Sequence, residues 1–183
     1  MIIKSLQEYL DIISDIDANG KIIVYTAIIN NYDKLKEVEI VDKNIRYYCF
    51  TNNKDLSSEN WRFIYIDTLY RDPRRTARLF KILPHLFFKN CKKILWVDGS
   101  CAINGSVVEF INKYCKNGSM FLHSHQQRDC IYKEAKYIKL FGKESNNIIN
   151  KQINYYKKSG FPSNYGLVDT TAIIRNLSDN EII

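Results

Sequence analysis

Asp98 is the residue whose type and position most directly suggest chemistry. It closes the apolar segment ILWV and precedes the small residues Gly99 and Ser100. A carboxylate at the carboxyl end of a buried strand lies where ligands of α/β proteins bind, and a small turn lets a ligand approach the backbone. A divalent cation that holds two phosphates takes one or two carboxylates at such a place. The pattern therefore predicts a cation site, with an ordinary Asp-Gly turn as the alternative.

A second candidate is a group of basic residues at steps of three and four around one predicted helix start: Arg71, Arg74, Arg75, Arg78 and Lys81. Several of them share one helix face near the positive end of the helix dipole. Guanidinium groups match phosphate oxygens, and a helix N-terminus adds its own N–H donors. The spacing predicts a diphosphate-binding face, while a solvated charged face would show the same pattern.

Two histidines and one further acid complete the candidates. His123 and His125 flank Ser124 after a short apolar segment, so strand alternation turns both imidazoles to one side. Either imidazole could bind a metal or donate to a leaving phosphate, and a structural role fits equally well. Asp169 could act as a general base or bind a sugar hydroxyl, with a strand-edge Asp bonded to backbone as the alternative.

Several function classes lack support in the sequence. It contains no G-x-G-x-x-G, no G-x-x-x-x-G-K-[ST] and no G-x-S-x-G. The net charge of +7 favours anionic partners. The five cysteines are widely spaced without a C-x-x-C pair, which favours a reducing, cytoplasmic compartment. The longest apolar stretch, 22–29, is far shorter than the ~20 residues that span a bilayer, so any membrane association would be peripheral.

The elements that must position these residues follow from apolar periodicity. Continuous apolar runs predict strands at 21–29, 46–51, 62–67 and 93–98, in the segment MFLHS, and at 167–175. Helical spacing and caps predict helices at 3–17, from Asp72 to a kink or end at Pro84, after Ser106, from Asp129 to about Leu140, and from Ser145 to about Lys158. Ser178 and Glu181 form another capping box, which indicates a helix beyond the last residue. Alternating strands and helices predict one α/β domain whose mostly parallel sheet is flanked by helices.

The ordered motifs resemble a known family. VYTAIINNYDKL, YYCFTNN, DPRRTARLFKILPH, ILWVDGS, RDCIYKE and GFPSNYGLVDTTAIIR are similar to the glycosyltransferase-like domain of bacterial polysaccharide loci and of plant mucilage-related probable hexosyltransferases. The resemblance covers about residues 21–176. It implies a GT-A type, Rossmann-like fold with a nucleotide sugar as donor, Mn²⁺ or Mg²⁺ as cation, and a glycan or polysaccharide as acceptor.

The resemblance also assigns roles position by position. The residues implied to line the base and ribose are Tyr25, Thr26, Ala27, Thr51 and Asn52. Those implied to face the diphosphate and its cation are Arg74, Arg78, Lys81, Asp98 and Ser100. The family's later motif is matched by Arg128, Tyr132 and Glu134. The segment implied to meet the donor sugar or the acceptor is matched by Asn164, Gly166, Leu167 and Asp169. Asn30 stands where the family usually has Gly, and Asn enters the left-handed conformation readily.

The resulting hypothesis is a hexosyltransferase that moves a hexose from a UDP-sugar to a hydroxyl of a growing polysaccharide. Asp169 or Glu134 would deprotonate the acceptor in an inverting reaction or stabilise a cationic transition state in a retaining one. One alternative is a non-catalytic nucleotide-sugar-binding domain. Another is a basic nucleic-acid-binding module, because 13 Tyr and 9 Phe accompany the positive charge. Most of these aromatic residues lie in apolar runs typical of a core, so we expect no nucleic-acid partner.

Overall fold

The computed structural model describes residues 21–88 and 91–177. Its strands in these ranges are β1 (Ile22–Ile28), β2 (Ile45–Thr51), β3 (Arg62–Tyr65), β4 (Lys93–Val97), β5 (Met120–Ser124) and β6 (Val168–Asn176). Its helices there are α1 (Pro73–Ile82), α2 (Pro84–Phe87), α3 (Val107–Tyr114), α4 (Ile131–Leu140) and α5 (Asn146–Lys158). The helix predicted over 3–17 and the capping box at 178–181 lie outside the described residues.

The strands form one sheet in the order β3-β2-β1-β4-β6-β5. Strand β1 pairs in parallel with β2 and with β4, and β2 pairs in parallel with β3. The predicted α/β fold and mostly parallel sheet are confirmed, and β6 departs from the parallel arrangement by running antiparallel to β4. The chain leaves β1 toward β2 on one side and returns to β4 on the other. In sheets with this change of direction, ligands usually bind in the crevice at the carboxyl ends of β1 and β4.

Both faces of the sheet bury apolar side chains, which explains the continuous apolar strand patterns. On one face, the ring of Phe50 stacks on that of Phe80 from α1 with centroids 4.2 Å apart. A separate cluster joins Val24 of β1 to Val107 and Ile111 of α3. Helix α1 is fixed to the sheet through Phe80, and this contact sets the position of the residues next to it.

The predicted caps of three helices are confirmed. Asp72 caps α1 through its side chain, with Pro73 at the first helical position. Pro84 separates α1 from α2, as its missing N–H requires. The hydroxyls of Ser106 and Ser145 cap α3 and α5.

Asp42 is a cap that the sequence did not predict. Its Oδ2 accepts a hydrogen bond of 2.8 Å from the backbone N–H of Val107, and its Oδ1 accepts one of 2.9 Å from the Ser106 hydroxyl. A carboxylate at this position satisfies free N–H groups of α3 and interacts favourably with the helix dipole. The loop before β2 is therefore tied to the start of α3.

The cap predicted at Asp129 is wrong. Helix α4 begins one residue later, with Cys130 as its N-cap and no side-chain hydrogen bond to the cap. The carboxylate of Asp129 binds the ammonium of Lys133 at 2.9 Å instead. Its backbone carbonyl accepts a hydrogen bond from the N–H of Gly166. Asp129 thus forms an ion pair with Lys133 and a backbone hydrogen bond with the loop at Gly166.

The described residues form two compact units. The first unit comprises residues 21–88, 91–121 and 171–177, and the second comprises residues 122–170, with α4 and α5. No helix within residues 21–88 and 91–177 is long and apolar enough to cross a membrane. All five cysteines are free thiols.

Candidate functional site

Asp98 follows β4 directly and is held by two donors. The indole N–H of Trp96 donates to Oδ1 at 2.7 Å, and the ammonium of Lys81 donates to the same oxygen at 2.9 Å. The backbone N–H of Asp98 donates to the carbonyl of Thr171. Oδ2 is then the carboxylate oxygen without a hydrogen bond to the described residues, and about a third of the side chain (34%) is exposed. The carboxylate is fixed on one side and open on the other.

Helix α1 brings Lys81 to this carboxylate because the neighbouring residue, Phe80, is anchored in the sheet. We call Arg74, Arg78 and Lys81 the cationic stripe, since their spacing of four and three residues aligns them on one helix face. Arg78 is exposed and makes no hydrogen bond or ion pair with any described residue. Arg74 differs, because its guanidinium binds the carboxylate of Asp72 at 2.9 Å. The stripe therefore offers one open guanidinium, at Arg78, one turn from Lys81.

Asp33 is a site residue that the sequence analysis missed. It lies in the loop after β1 and packs against Gly99, where an added Cβ would come within 3.1 Å of the Asp33 Cβ and 3.2 Å of its Oδ2. Burial, and then the negative charge of Asp98, raise the pKa of Asp33. Two carboxylates therefore lie near each other at the carboxyl ends of β1 and β4. The available signal was an acid four residues beyond a predicted strand, within the motif NNYDKL.

The loops that follow β1 and β2 are joined by amide side chains. The backbone N–H of Asn30 donates to Oδ1 of Asn52 at 2.8 Å, and Nδ2 of Asn52 donates to Oδ1 of Asn30 at 2.6 Å. A second pair follows, in which Asn53 donates to Asn31 at 2.8 Å. Asn30 and Asn31 have φ of 53° and 52°. The expected left-handed Asn30 is confirmed, and Asn52 is engaged with the loop.

The other residues predicted to line the base and ribose lie in the core. The exposed fractions of Tyr25, Thr26, Ala27 and Thr51 are 0%, 1%, 4% and 0%. Burial raises the pKa of the Tyr25 hydroxyl. Their contact with a nucleotide stays a prediction, and the burial of their side chains does not favour it. Ser100, by contrast, is exposed in the turn after Asp98.

A groove of about 570 Å³ opens beside Asp33. Its lining comes from the loops after β1 and β2 and includes Asn31, Tyr32, Asp55 and Ser57. Small-molecule sites commonly have volumes of about 300–1,000 Å³. The groove is large enough for a nucleotide and borders one of the two carboxylates.

The second unit contains a separate cluster around Arg128. Its Nε donates to the carboxylate of Glu134, and its guanidinium lies 4.1 Å from the centre of the Tyr137 ring. An NH2 nitrogen of Arg128 is 2.9 Å from Nε2 of His125, whose Nδ1 accepts the backbone N–H groups of Gln127 and Arg128. Both nitrogens of His125 are thus engaged by neighbours. A metal role for His125 stays a prediction and would require Arg128 to move.

The remaining predicted residues also lie in the second unit. Asn164 and Gly166 both have positive φ, 55° and 103°, and flank an exposed tyrosine. Backbone N–H groups, that of Asn164 first, hold the pKa of the Cys130 thiol below its ordinary value. His123 is exposed at the end of β5, and Asp169 is half-buried in β6.

Comparison with known proteins decides the family. A family model described as the TOD1/MUCI70 glycosyltransferase-like domain matches residues 11–183. The chain belongs to the TOD1/MUCI70 family. The probable hexosyltransferase MUCI70 of Arabidopsis thaliana is 26% identical over 159 residues, which cover 76% of this chain and 27% of that protein. The chain thus spans about a quarter of the length of this relative. No solved structure matches the chain.

Membership of the TOD1/MUCI70 family confirms the resemblance and the glycosyltransferase-like domain. It does not identify a metal site. Among the described residues, no group of three or more His, Cys, Asp or Glu side chains is arranged to hold a metal ion. A cation at Asp98 would therefore rely on Asp33 and Asp98 together with phosphate and water oxygens, as Mg²⁺ commonly does.

Proposed function

We propose that this chain is a glycosyltransferase that moves a hexose from a UDP-sugar to a hydroxyl of a glycan or polysaccharide. The observation that carries the proposal is the Asp98 carboxylate, fixed on Oδ1 and open on Oδ2, beside Asp33 at the carboxyl ends of β1 and β4. Family membership supports the reaction class. The five free thiols agree with a reaction in the cytoplasm.

The donor diphosphate would lie between the two carboxylates and the cationic stripe. Burial first, and then the negative charge of Asp98, raise the pKa of Asp33. Two nearby carboxylates suit a hard divalent cation, because Mn²⁺ or Mg²⁺ would offset their mutual repulsion. Such a cation would supply Lewis-acid stabilisation of the departing UDP. The guanidinium of Arg78 would bind diphosphate oxygens and stabilise charge that develops as the glycosidic bond breaks. Lys81 would hold Asp98 in position and add positive charge.

The acceptor hydroxyl would be activated by a carboxylate from one of the family motifs. Asp169 and Glu134 are the proposed groups, each able to take the proton of the attacking hydroxyl in an inverting reaction. Glu134 already binds the guanidinium of Arg128, which holds its carboxylate in place. Asp169→Asn and Glu134→Gln would distinguish a general base from a residue that binds the donor. Loss of a general base lowers kcat more than it changes donor affinity.

The donor site can be tested by thermal denaturation with UDP, GDP and several nucleotide sugars, each with and without Mn²⁺. A ligand that binds the native state raises Tm, so UDP or a UDP-sugar should do so, and Mn²⁺ should enlarge the shift. Asp98→Asn and Lys81→Met should each weaken UDP binding at least tenfold, and Lys81→Arg should restore part of it. Glu59→Gln removes an exposed carboxylate elsewhere in the first unit and should leave binding unchanged.

Activity requires a second measurement. Release of UDP from a UDP-hexose, followed with candidate glycan acceptors, should depend on Asp98. Binding without release under any of these conditions would favour a non-catalytic nucleotide-sugar-binding domain. Absence of any nucleotide shift in the wild-type protein would contradict the proposed donor.

A further inference from the structure

The end of helix α4 exposes two large apolar side chains in a basic setting. Leu140 is 80% exposed and Phe141 is 58% exposed, just before Gly142, whose φ is 61°. Lys139 and Lys143 lie on either side of them. The Phe141 ring packs against that of Tyr137 with centroids 4.3 Å apart. The tip is therefore an apolar projection that is supported by an aromatic contact and has a lysine on either side of it in the sequence.

The outer face of helix α5 also combines exposed apolar side chains with lysines. Ile148, Lys151, Tyr155 and Lys158 follow at steps of three and four residues, so they share one face of the helix. Ile148 is 45% exposed and Tyr155 is 68% exposed. The opposite face carries the buried Ile149, which packs inward. Helix α5 thus buries one apolar face and presents a second, mixed apolar and basic face to solvent.

The charge of the second unit is strongly one-sided. It carries eight Lys and Arg against four Asp and Glu, a net +4 of the +7 on the whole chain. Two of the four acids form ion pairs within the unit, Asp129 with Lys133 and Glu134 with Arg128. A third, Glu144, accepts a hydrogen bond from the N–H of Ser145 at the start of α5. The lysines at the tip and outer face therefore dominate the local potential.

Exposed Leu, Phe, Ile and Tyr side chains between lysines are typical of surfaces that lie in the headgroup region of a bilayer. The apolar groups enter the boundary with the acyl chains, Tyr remains at the interface, and lysine ammonium groups contact lipid phosphates. A nucleic acid would gain little from Leu140 or Ile148, because aliphatic side chains offer bases no stacking partner. We propose that the outer surface of the α4–α5 hairpin, residues 139–158, docks on an anionic lipid bilayer.

The test is co-sedimentation of the full chain with phosphatidylcholine vesicles and with vesicles that also contain phosphatidylglycerol. The wild-type protein should bind the anionic vesicles and lose binding at high salt. Leu140→Ser/Phe141→Ser should lower the partition coefficient at least tenfold. Lys151→Gln/Lys158→Gln should lower it about 25-fold, because each lysine near such a surface contributes roughly fivefold. Equal binding to neutral and anionic vesicles, or no binding, would overturn the proposal.

The chain offers a matched control for these variants. Ile40 and Val41 in the first unit are 50% and 51% exposed, but they lie between Glu39 and Asp42. Ile40→Ser/Val41→Ser should leave vesicle binding unchanged, and a loss equal to that of the hairpin variant would contradict the assignment. Analytical ultracentrifugation of the protein without vesicles tests the other possible occupant, a second copy of the chain. If the wild-type protein is a dimer and Leu140→Ser/Phe141→Ser makes it a monomer, the surface is a dimer interface and the proposal is overturned. The UDP-dependent Tm shift should be unaffected in every hairpin variant, so this test is independent of the donor site.

Discussion

The indole N–H of Trp96 and Oδ1 of Asp98 are 2.7 Å apart, joined by a hydrogen bond between a residue of β4 and the residue that directly follows the strand. Alternation along β4 puts both side chains on one side, which makes this bond possible. Trp96 is 2% exposed, so the bond fixes a partly open carboxylate to the core.

Trp96→Phe should therefore weaken both the fold and the donor site. Loss of the donor and of ring volume should lower the free energy of unfolding by about 1–3 kcal/mol, measured by urea denaturation. UDP affinity should fall at least tenfold, since one charge-assisted hydrogen bond contributes about 1.5–3 kcal/mol. Trp61→Phe is the matched control, because Trp61 is 5% exposed and donates to the carbonyl of Lys36 at 2.9 Å. The Trp61→Phe variant should lose as much free energy of unfolding as Trp96→Phe but keep the UDP affinity of the wild type.

Gly99→Ala should disturb the two carboxylates by steric pressure. The new Cβ would come within 3.1 Å of the Asp33 Cβ and 3.2 Å of the Ile28 Cδ1, so both side chains must give by a few tenths of an ångström. We expect a loss of about 1–3 kcal/mol in the free energy of unfolding, together with weaker UDP binding. At Gly105 nothing lies within 4 Å of an added Cβ. Gly105→Ala should therefore change neither property adversely, and similar losses in both variants would contradict the crowding at Asp33.

Asp33→Asn should increase stability at neutral pH in the presence of a chelator. The folded state raises the pKa of Asp33 above its ordinary value of 3.8, by burial first and by Asp98 second. Between the unfolded and folded pKa values the folded state binds more protons, so wild-type stability falls as pH rises through this window. The Tm advantage of Asp33→Asn should grow across the same window and vanish in more acidic solution.

Asp72→Asn provides a control of opposite sign for that pH series. Hydrogen bonds from Arg74 hold the pKa of Asp72 below its ordinary value. The stability that Asp72 contributes is present above the unfolded pKa and is lost as pH falls through the folded pKa. Asp72→Asn should therefore be less stable than the wild type at neutral pH, and the difference should shrink in acid. Parallel pH profiles for the two variants would contradict the assigned causes.

Asp42→Ala should destabilise the first unit by removing the shared cap of α3. Its carboxylate accepts hydrogen bonds from the Val107 N–H and the Ser106 hydroxyl, so we expect a loss of about 1–2 kcal/mol in urea denaturation. Asp42→Asn should keep part of this stability because an amide oxygen still accepts a hydrogen bond. An unchanged midpoint for Asp42→Ala would show that Ser106 caps the helix adequately alone.

The sheet and the helix starts were largely predictable because they depend on local patterns. Continuous apolar runs marked strands such as β1 and β4 to within a residue or two, and Ser106, Ser145 and Pro84 marked helix ends. The direction of β6 was not predictable. The same run of buried residues suits a parallel or an antiparallel neighbour, and only the pairing with β4 distinguishes them.

The site was less predictable because its contacts join distant parts of the chain. Asp98 was predicted as a strand-end acid, but its neighbour Asp33 lies in a loop that carries no periodic pattern. Arg74 was predicted to face a diphosphate, yet the nearby cap Asp72 binds its guanidinium. The alignment of Lys81 with Asp98 depends on the packing of Phe80, which spacing within one helix does not reveal.

The amide pairs between the loops after β1 and β2 have a consequence for motion. Asn30 and Asn52 exchange two hydrogen bonds, and Asn53 donates a third to Asn31. One loop cannot swing outward without breaking these bonds or taking the other loop with it. Closure over a bound ligand would therefore be a concerted displacement of both loops, with a single relaxation rate rather than two.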